Sequence, residues 1–554
     1  MRKHTFILIL MVFVTACGSR VKPTQSPPPS QTPVPASTVI FPSPTESPSP
    51  TASLVPTTAP TLIPYASPAW FQNAVLYEVF VRSFVDSDGD GIGDLAGITE
   101  RLDYLEELSV DVIWLLPIYP SPSVHGYDVS DHFGVNPEYG TLEDFQALVD
   151  AVHARGMKII LDFVPSHLSN QNPLFEDAYR NPNSIYSDWF VWTNDAHTLY
   201  AGFAGNETMP RFNHYNPEVV DYLAQAALYW LDLDGDGDYR DGVDGFRVDN
   251  VTFPPQEFFV TLRQAIKAVN PDALLLGESW VHTPSDLSRF YQDQFDALFD
   301  FPLYELLQGN QDSNSDGLLA SKGFPALLTI LLEEEADRYP DQAIAVRFLS
   351  NHDTNRIATE LAGDLYRQRL AVGLLAAFPG SVMVYYGEEI GMFGQKGGPP
   401  HWDNYRREPM DWYAGEVGVG QTTWFHPEDR WNQPGDGISV EEQEADPDSL
   451  LNFYRQCLNT RQKNSALSEG DFSLLEMEVL EQGPWGFVRS AGGEIVVAIF
   501  NFADEERQVT VNEFSFSATL IVDLLSGEEF QPAEEGQPYE LTLPPAAALW
   551  LSGE

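Results

Sequence analysis

Residues Asp244–Asp249 read DGFRVD, and this stretch decides the fold. Val243–Val248 has the composition of a short buried strand, with Asp249 at its C-terminal end, two places after Arg247. On its own, an arginine–aspartate pair closing a strand is a packing device. Three further strand-like runs end the same way. Ile159–Phe163 leads into Val164–His167, Leu274–Gly277 into Glu278, and Ala345–Leu349 into His352 and Asp353. Charges collected at the C-terminal ends of strands are where a (β/α)₈ barrel keeps its chemistry.

Outward from these four runs, strand and helix patterns alternate. Val75–Arg82 and Val112–Leu116 read as strands and Leu95–Leu108 as a helix between them. Thr141–Arg155 is a helix with acid in its first turn and Gly156 closing it. From Leu168 to Pro217 the alternation stops and Asn, Tyr and Trp dominate. That length is too great for an ordinary βα loop, so residues 168–217 read as a small inserted domain. Later helices are expected at Glu218–Leu231, Gln256–Val269, Pro284–Tyr291, Asp316–Arg338, Asp364–Phe378 and Asp448–Leu467, with strands at Phe295–Phe299 and Val382–Tyr386. Asn310–Asp316 reads as a loop. The fold class is α/β, and the repeat fits a TIM barrel over residues 70–467 better than a doubly wound sheet. After Phe472 the pattern turns to short strands, such as Glu494–Phe500, Arg507–Val511 and Ala518–Asp523, which predicts an all-β sandwich over residues 468–554.

The 554 residues carry a formal net charge of −51. Such a chain repels phosphates, which argues against a nucleic-acid partner and disfavours anionic substrates. A neutral substrate such as sugar fits. Cys17 and Cys457 are the only cysteines, too few for a disulfide framework.

The N-terminus has its own logic. Arg2 and Lys3 precede the apolar run Phe6–Val14, which is too short to span a membrane and has the form of a signal peptide. Val14–Cys17 (VTAC) resembles a bacterial lipobox, which implies cleavage before Cys17 and lipidation of its thiol, making residues 1–17 a lipoprotein signal. Residues 18–69 are rich in Pro, Ser and Thr with almost no charge, an extended spacer by composition. The two together predict a domain held off the outer face of a bacterial membrane by a lipid anchor.

Two acidic loops suggest metal. Asp86–Asp94 reads DSDGDGIGD, with aspartates at alternate positions and Gly91 after the third. Carboxylates of Asp86, Asp88, Asp90 and Asp94 with the carbonyl of Ile92 would surround a hard cation such as Ca²⁺. Gly97 stands at the twelfth position, so this is not an EF-hand. Asp232–Gly242 repeats the pattern, with Asp232, Asp234, Asp236, Asp238 and Asp241 as candidate ligands and a solvated hairpin tip as the rival reading.

The strand-end motifs also carry a resemblance. DFVPSH (Asp162–His167), GFRVD (Gly245–Asp249), GESW (Gly277–Trp280) and FLSNHD (Phe348–Asp353) resemble, in order and spacing, the four signature regions of the α-amylase family of glycoside hydrolases. MPRFN (Met209–Asn213) and YYGEEIGM (Tyr385–Met392) resemble two further family segments. The resemblance implies Asp249 as nucleophile, Glu278 as general acid and base, and Asp353 as stabiliser of the oxocarbenium-like transition state. It also implies His167 and His352 on sugar hydroxyls and Tyr127 stacked on the sugar face. On physical grounds Arg247 should keep Asp249 ionised, and Trp280 with the negative neighbours should raise the pKa of Glu278.

Departures from the family pattern matter. Ser166 stands where many members have Asn and Phe253 where many have His, which puts the family's calcium site between barrel and inserted domain in doubt. The Asp86 loop and Arg407–Trp412 (REPMDW) resemble the oligo-1,6-glucosidase branch, while GESW and MPRFN lean toward α-amylases and neopullulanase-like enzymes. The expected activity is endo-hydrolysis of α-1,4-glucosidic bonds in starch or maltodextrin with retention. Three rivals stay open at this stage. One is an exo-acting α-glucosidase or oligo-1,6-glucosidase, in which Asp128 would pair with Arg406 or Arg407 to recognise a chain end. The others are a neopullulanase-like enzyme and a catalytically dead starch-binding protein.

Overall fold

A computed structural model describes residues 66–309, 316–475, 477, 481–511, 520–531 and 538–553. The signal, Cys17 and almost all of the spacer lie outside the described residues, as do 310–315 of the expected Asn310–Asp316 loop and the first residues of the expected Ala518–Asp523 strand.

Eight parallel strands close into a barrel: β1 (Val75–Val79), β2 (Val112–Leu115), β3 (Lys158–Phe163), β4 (Gly245–Val248), β5 (Leu274–Gly277), β6 (Ala297–Phe299), β7 (Ile344–Phe348) and β8 (Ser381–Tyr385). They follow sequence order round the ring, and β8 pairs with β1 through Val75↔Val382 to Glu78↔Tyr385. Nearly every strand residue is buried, as expected where helices cover the outside and side chains fill the inside. The helices form where the apolar spacing allows and start at clear caps. Thr141 makes a reciprocal capping box with Asp144, Asn216 caps Pro217–Leu231, and Thr283 caps Pro284–Tyr291.

Several boundaries differ from the sequence reading, for local reasons. The first strand stops at Val79, and Val81–Phe84 forms a helical turn whose Arg82 carbonyl accepts from Gly93 of the first acidic loop. The expected helix Leu95–Leu108 breaks at Arg101 into Leu95–Glu100 and Leu102–Glu107. Of Asp316–Arg338 only Ala326–Arg338 is α-helical. The part before it holds a short 3₁₀ turn, the left-handed Gly323 (φ +86°) and Pro325, which caps the helix. Helix Phe301–Gln308, started by Asp300, is not legible in the sequence, because its eight residues are apolar apart from Glu305 and Gln308 and show no 3.6 period.

Between β3 and β4 the chain makes the turn Pro173–Ala178 and a hairpin, Gly202–Phe203 with Asn206–Pro210. Its own core is aromatic: Phe175 stacks on Trp192 and meets Tyr200 edge-on at 4.8 Å. The bridge His167↔Arg211 ties this segment to the end of β3.

Beyond the barrel a six-stranded sheet and a two-stranded sheet share a core of Val497, Ile499, Leu549 and Leu551 against Val509, Val511, Leu541 and Leu543. The other face of the larger sheet packs on the barrel helix Leu365–Ala377. Gly373 is needed there, since a Cβ at that position would stand 2.8 Å from the Ala548 methyl.

Candidate active site

The C-terminal ends of β3, β4, β5 and β7 meet over a cleft of about 620 Å³, lined among others by Tyr127, His167, Asp249, Glu278, Asp353 and Arg407. The barrel itself sets the positions. Asp249 N–H donates to Phe163 O (2.8 Å), and Glu278 N–H to Val248 O (3.1 Å), so each carboxylate leaves its strand in register with the neighbour. Asn250 adopts a left-handed conformation (φ +40°) and so turns its N–H onto Glu278 Oε2 at 3.1 Å.

Arg247, 1% exposed, lies beneath all of this. Its Nη1 meets Asp249 Oδ1 at 3.0 Å and Asp162 Oδ1 at 2.9 Å, and its Nη2 meets Glu278 Oε1 at 2.7 Å. The guanidinium therefore serves both strand-end carboxylates, not Asp249 alone. Burial drives the Asp249 carboxyl well above its ordinary value, and Glu278, Asp162 and Asp353 push the same way. The pull of Arg247 does not cancel this. The expectation that Arg247 keeps Asp249 ionised is thus corrected: the cation lowers the carboxyl's pKa, but burial raises it further. Asp249 and Glu278 share one cation. Asp162 is likewise raised by burial, to about 6. Trp280 meets Glu278 through its indole N–H (Nε1 to Oε1, 2.9 Å) and not with an apolar face, and its ring packs tilted against Phe301.

Asp353 lines the same cleft, gripped by two cations. Arg407 Nη2 reaches its Oδ1 at 2.8 Å and His352 Nε2 its Oδ2 at 3.3 Å. Burial opposes its charge, but His352 and Arg407 outweigh burial and hold the carboxyl well below the usual range. His352 is fully buried and does not line the cleft. Its Nδ1 donates to Glu78 Oε1 at 2.5 Å and its Nε2 faces the Tyr127 hydroxyl at 2.7 Å. Burial disfavours the imidazolium, yet Asp353 and Glu78 raise its pKa to about 9. Both ring nitrogens have partners, and through Nε2 His352 positions Asp353.

Tyr127 lines the cleft, its hydroxyl donating to Asp162 Oδ2 (2.9 Å) and its ring stacked on His352. His167 also lines it. Ser166 Oγ donates to its Nδ1 and its Nε2 donates to Tyr127 O. Burial lowers its pKa to about 3, so the ring is neutral. Asp128 is placed differently from the expectation: it is not part of the cleft wall, and its Oδ1 accepts the hydroxyls of Ser121 (2.5 Å) and Ser123. Among the described residues no ion pair joins it to Arg406 or Arg407. Arg406 goes to Asp403 and the Asp353 carbonyl. Residues not singled out from sequence also line the cleft: Phe203, Asn250, His401, Trp402 and Asp403. Met209 comes with them from the MPRFN motif. Nothing in the local pattern marks a loop aromatic as facing inward.

The acidic loops fit a hard cation in part. Asp86, Asp88 and Asp94 bring one carboxylate oxygen each within 4.8 Å of one another. Asp90 does not join them; its Oδ1 takes the Ile92 N–H at 2.7 Å. In the second loop Asp232, Asp234 and Asp236 converge the same way. Asp238 is instead paired with Arg240, and Asp241 accepts the Asp234 N–H while its other oxygen is buried without a partner. At the doubtful site between barrel and inserted segment, Ser166 is bonded to His167, and Phe253 packs against Phe203 beneath Arg211.

Comparison with known proteins agrees with this geometry. Residues 78–470 match the family model of the α-amylase catalytic domain, and residues 477–550 that of the maltogenic amylase C-terminal domain. The chain belongs to the α-amylase catalytic-domain family. It is a glycoside hydrolase of that family, acting on α-glucans. It is 35% identical to Alpha-amylase 3 of Dictyoglomus thermophilum, over 74% of this chain and 81% of that one. It is 29% identical to the probable oligo-1,6-glucosidase 2 of Bacillus subtilis, over 85% of this chain and 98% of that one. The crystal structure of an α-amylase from H. orenii superposes with a TM-score of 0.75 at 34% identity, covering 87% of this chain and all of that one.

Proposed function

We propose that this enzyme hydrolyses α-1,4-glucosidic bonds within maltodextrin and starch chains, with retention of configuration. The observation that carries the reading is the single buried guanidinium of Arg247 touching both Asp249 and Glu278, with Asp353 facing them in one cleft. A retaining glycosidase needs two carboxyls about 5–5.5 Å apart that hold one proton between them. In the reactive form Glu278 carries that proton and gives it to the leaving glycosidic oxygen, while the Asp249 carboxylate attacks the anomeric carbon. A covalent glycosyl ester forms as the bond to the leaving group breaks. Water then attacks the same carbon, losing its proton to Glu278, and Asp249 is released. Asp353 steadies the positive charge of both transition states, held in place by Arg407 and His352.

Endo action is supported by Asp128 and Arg407. The exo reading needs them paired across the chain end, and here each has other partners. Arg407, His167 and Tyr127 serve as sugar-binding groups. Ca²⁺ held by Asp86, Asp88 and Asp94 would pin the loop after β1 by charge neutralisation. The lipid anchor at Cys17 and the spacer behind it would hold the enzyme on the outer surface, where long α-glucans arrive. A time course of products from amylose, pullulan and isomaltose tests the activity. Mixed maltooligosaccharides from amylose at early times are expected; glucose alone from the outset overturns the endo reading.

A further inference from the structure

The loop after β8 places one residue in the cleft at a conformational cost. Trp402 has φ +44°, in the left-handed region that bulky side chains avoid. The residue is 52% exposed, yet it lines the cleft that holds Asp249, Glu278 and Asp353. Among the described residues no ring stacks on it and no acceptor meets its Nε1. Neither burial nor local packing explains why an apolar ring stands there. The backbone around it is firmly set. Gly397 N–H donates to Trp402 O at 2.9 Å and Trp402 N–H to Gly398 O at 3.1 Å. The following turn is tied to the reacting centre, since Arg406 Nη1 meets both Asp403 and the Asp353 carbonyl. A bistable or frayed loop would relax this residue; a loop pinned at both ends keeps it.

The topology says which sugar it faces. Trp280 follows β5 and is bonded to Glu278, the group that serves the leaving oxygen, so the leaving side of the cleft is the Trp280 side. Trp402 follows β8, three strand positions round the ring from β5, on the wall that carries Arg407 and Asp353. Flat indole faces bind the C–H face of a pyranose, an apolar contact that needs no hydrogen bond. From this geometry we infer that Trp402 is the stacking platform for the glucose unit next to the scissile one on its non-reducing side. The strain is retained because it aims the ring, and it makes the enzyme favour substrates with at least two sugars on that side. The inference rests on the retaining, Glu278-as-acid reading above.

The test compares an aryl α-maltoside with an aryl α-glucoside, which differ only in that second sugar. Trp402→Ala should lower the ratio of kcat/KM for maltoside over glucoside by about tenfold. Trp402→Phe should restore most of it. Trp402→Gly should show the loss of the Ala variant with an equal or higher Tm, because glycine accepts the left-handed backbone. A ratio unchanged by Trp402→Ala, or a Gly variant that keeps the ratio, overturns the platform. Calorimetry of maltotetraose binding reads the same contact without turnover. In a Glu278→Gln background, adding Trp402→Ala should weaken binding about tenfold; unchanged binding overturns the inference, while undiminished turnover by Glu278→Gln overturns only the acid–base reading on which it was built.

Discussion

Arg247 Nη2 and Glu278 Oε1 lie 2.7 Å apart at the floor of the cleft, with Arg247 1% exposed. One guanidinium thus balances a cluster of buried carboxylates, and replacing it is not a conservative change. Lysine brings a point charge that cannot reach both Asp249 and Glu278. Arg247→Lys should lower kcat by ~10²-fold or more, in the range lost when one pre-organised electrostatic contact is removed. Arg247→Ala leaves the carboxylates facing one another and should cost roughly 3–5 kcal/mol of stability, as breaking buried pairs does. Denaturant titration and steady-state kinetics check both values. Retention of wild-type kcat by the lysine variant would count against the shared-cation arrangement.

His352 gives a pH prediction with a definite sign. Its folded-state pKa is raised from 6.5 to about 9 by the Asp353 and Glu78 carboxylates, against the cost of burial. The stabilisation from its proton is fully present below the unfolded value near 6.5 and is lost as pH rises through about 9. Both stability and kcat should fall on the alkaline side, since loss of the imidazolium frees Asp353. His352→Gln, which keeps a donor but not the charge, should flatten that limb. A Tm unchanged between pH 6 and 10 in the parent would contradict the assignment.

On the acid side, the buried neutral ring of His167 has the opposite sign. Burial lowers its pKa to about 3, so the unfolded chain takes up a proton that the folded chain refuses. Stability should decline as pH falls from about 6.5 toward 3. His214, lowered by burial to about 4, adds to the same limb. A double replacement, His167→Gln with His214→Gln, should flatten the fall in Tm with pH, whatever it does to the absolute value.

The first acidic loop separates ligands from bystanders. Chelation should lower the Tm by a few degrees, the scale expected when about 3 kcal/mol of ligand stabilisation is removed from a large domain. Asp88→Asn should reduce the response to added Ca²⁺. Asp90→Asn should not, because Asp90 lies outside the converging group. Equal effects of the two would mean that the loop rearranges around the ion.

Cys17 lies outside the described residues, and its role stands on VTAC and the spacer alone. Cys17→Ser should move the protein from the membrane fraction into solution; unchanged membrane association would reject the anchor.

How much of this was legible in the sequence depends on what kind of fact is asked. Strand ends that gather Asp249, Glu278 and Asp353 were readable, because a short buried run ending in a charge is rare unless the charge has work at a barrel mouth. The helix beginning near Thr141 was readable from its acidic first turn, although Thr141 itself proved to be the cap rather than a helical residue. What was not readable is the direction in which a loop side chain turns. Asp128 adjoins Tyr127, yet Asp128 turns to Ser121 and Ser123 while Tyr127 lines the cleft. Likewise His352 precedes Asp353 but is sealed beneath it by Glu78. Alternating aspartates look equivalent in sequence, and only the turn decides that Asp86 converges while Asp90 folds back on Ile92. Arg101 breaks a helix whose apolar spacing runs straight through it.

The most direct measurement is to trap the covalent intermediate. A Glu278→Gln variant should still accept a 5-fluoro-α-glucosyl fluoride, whose leaving group needs no proton, yet turn the adduct over slowly for want of a base. Peptide mass spectrometry after digestion should then find one glycosyl group, on the peptide that contains Asp249. No adduct at all, or an adduct on any other carboxylate, would contradict the assignment of Asp249 and Glu278 as the reacting pair.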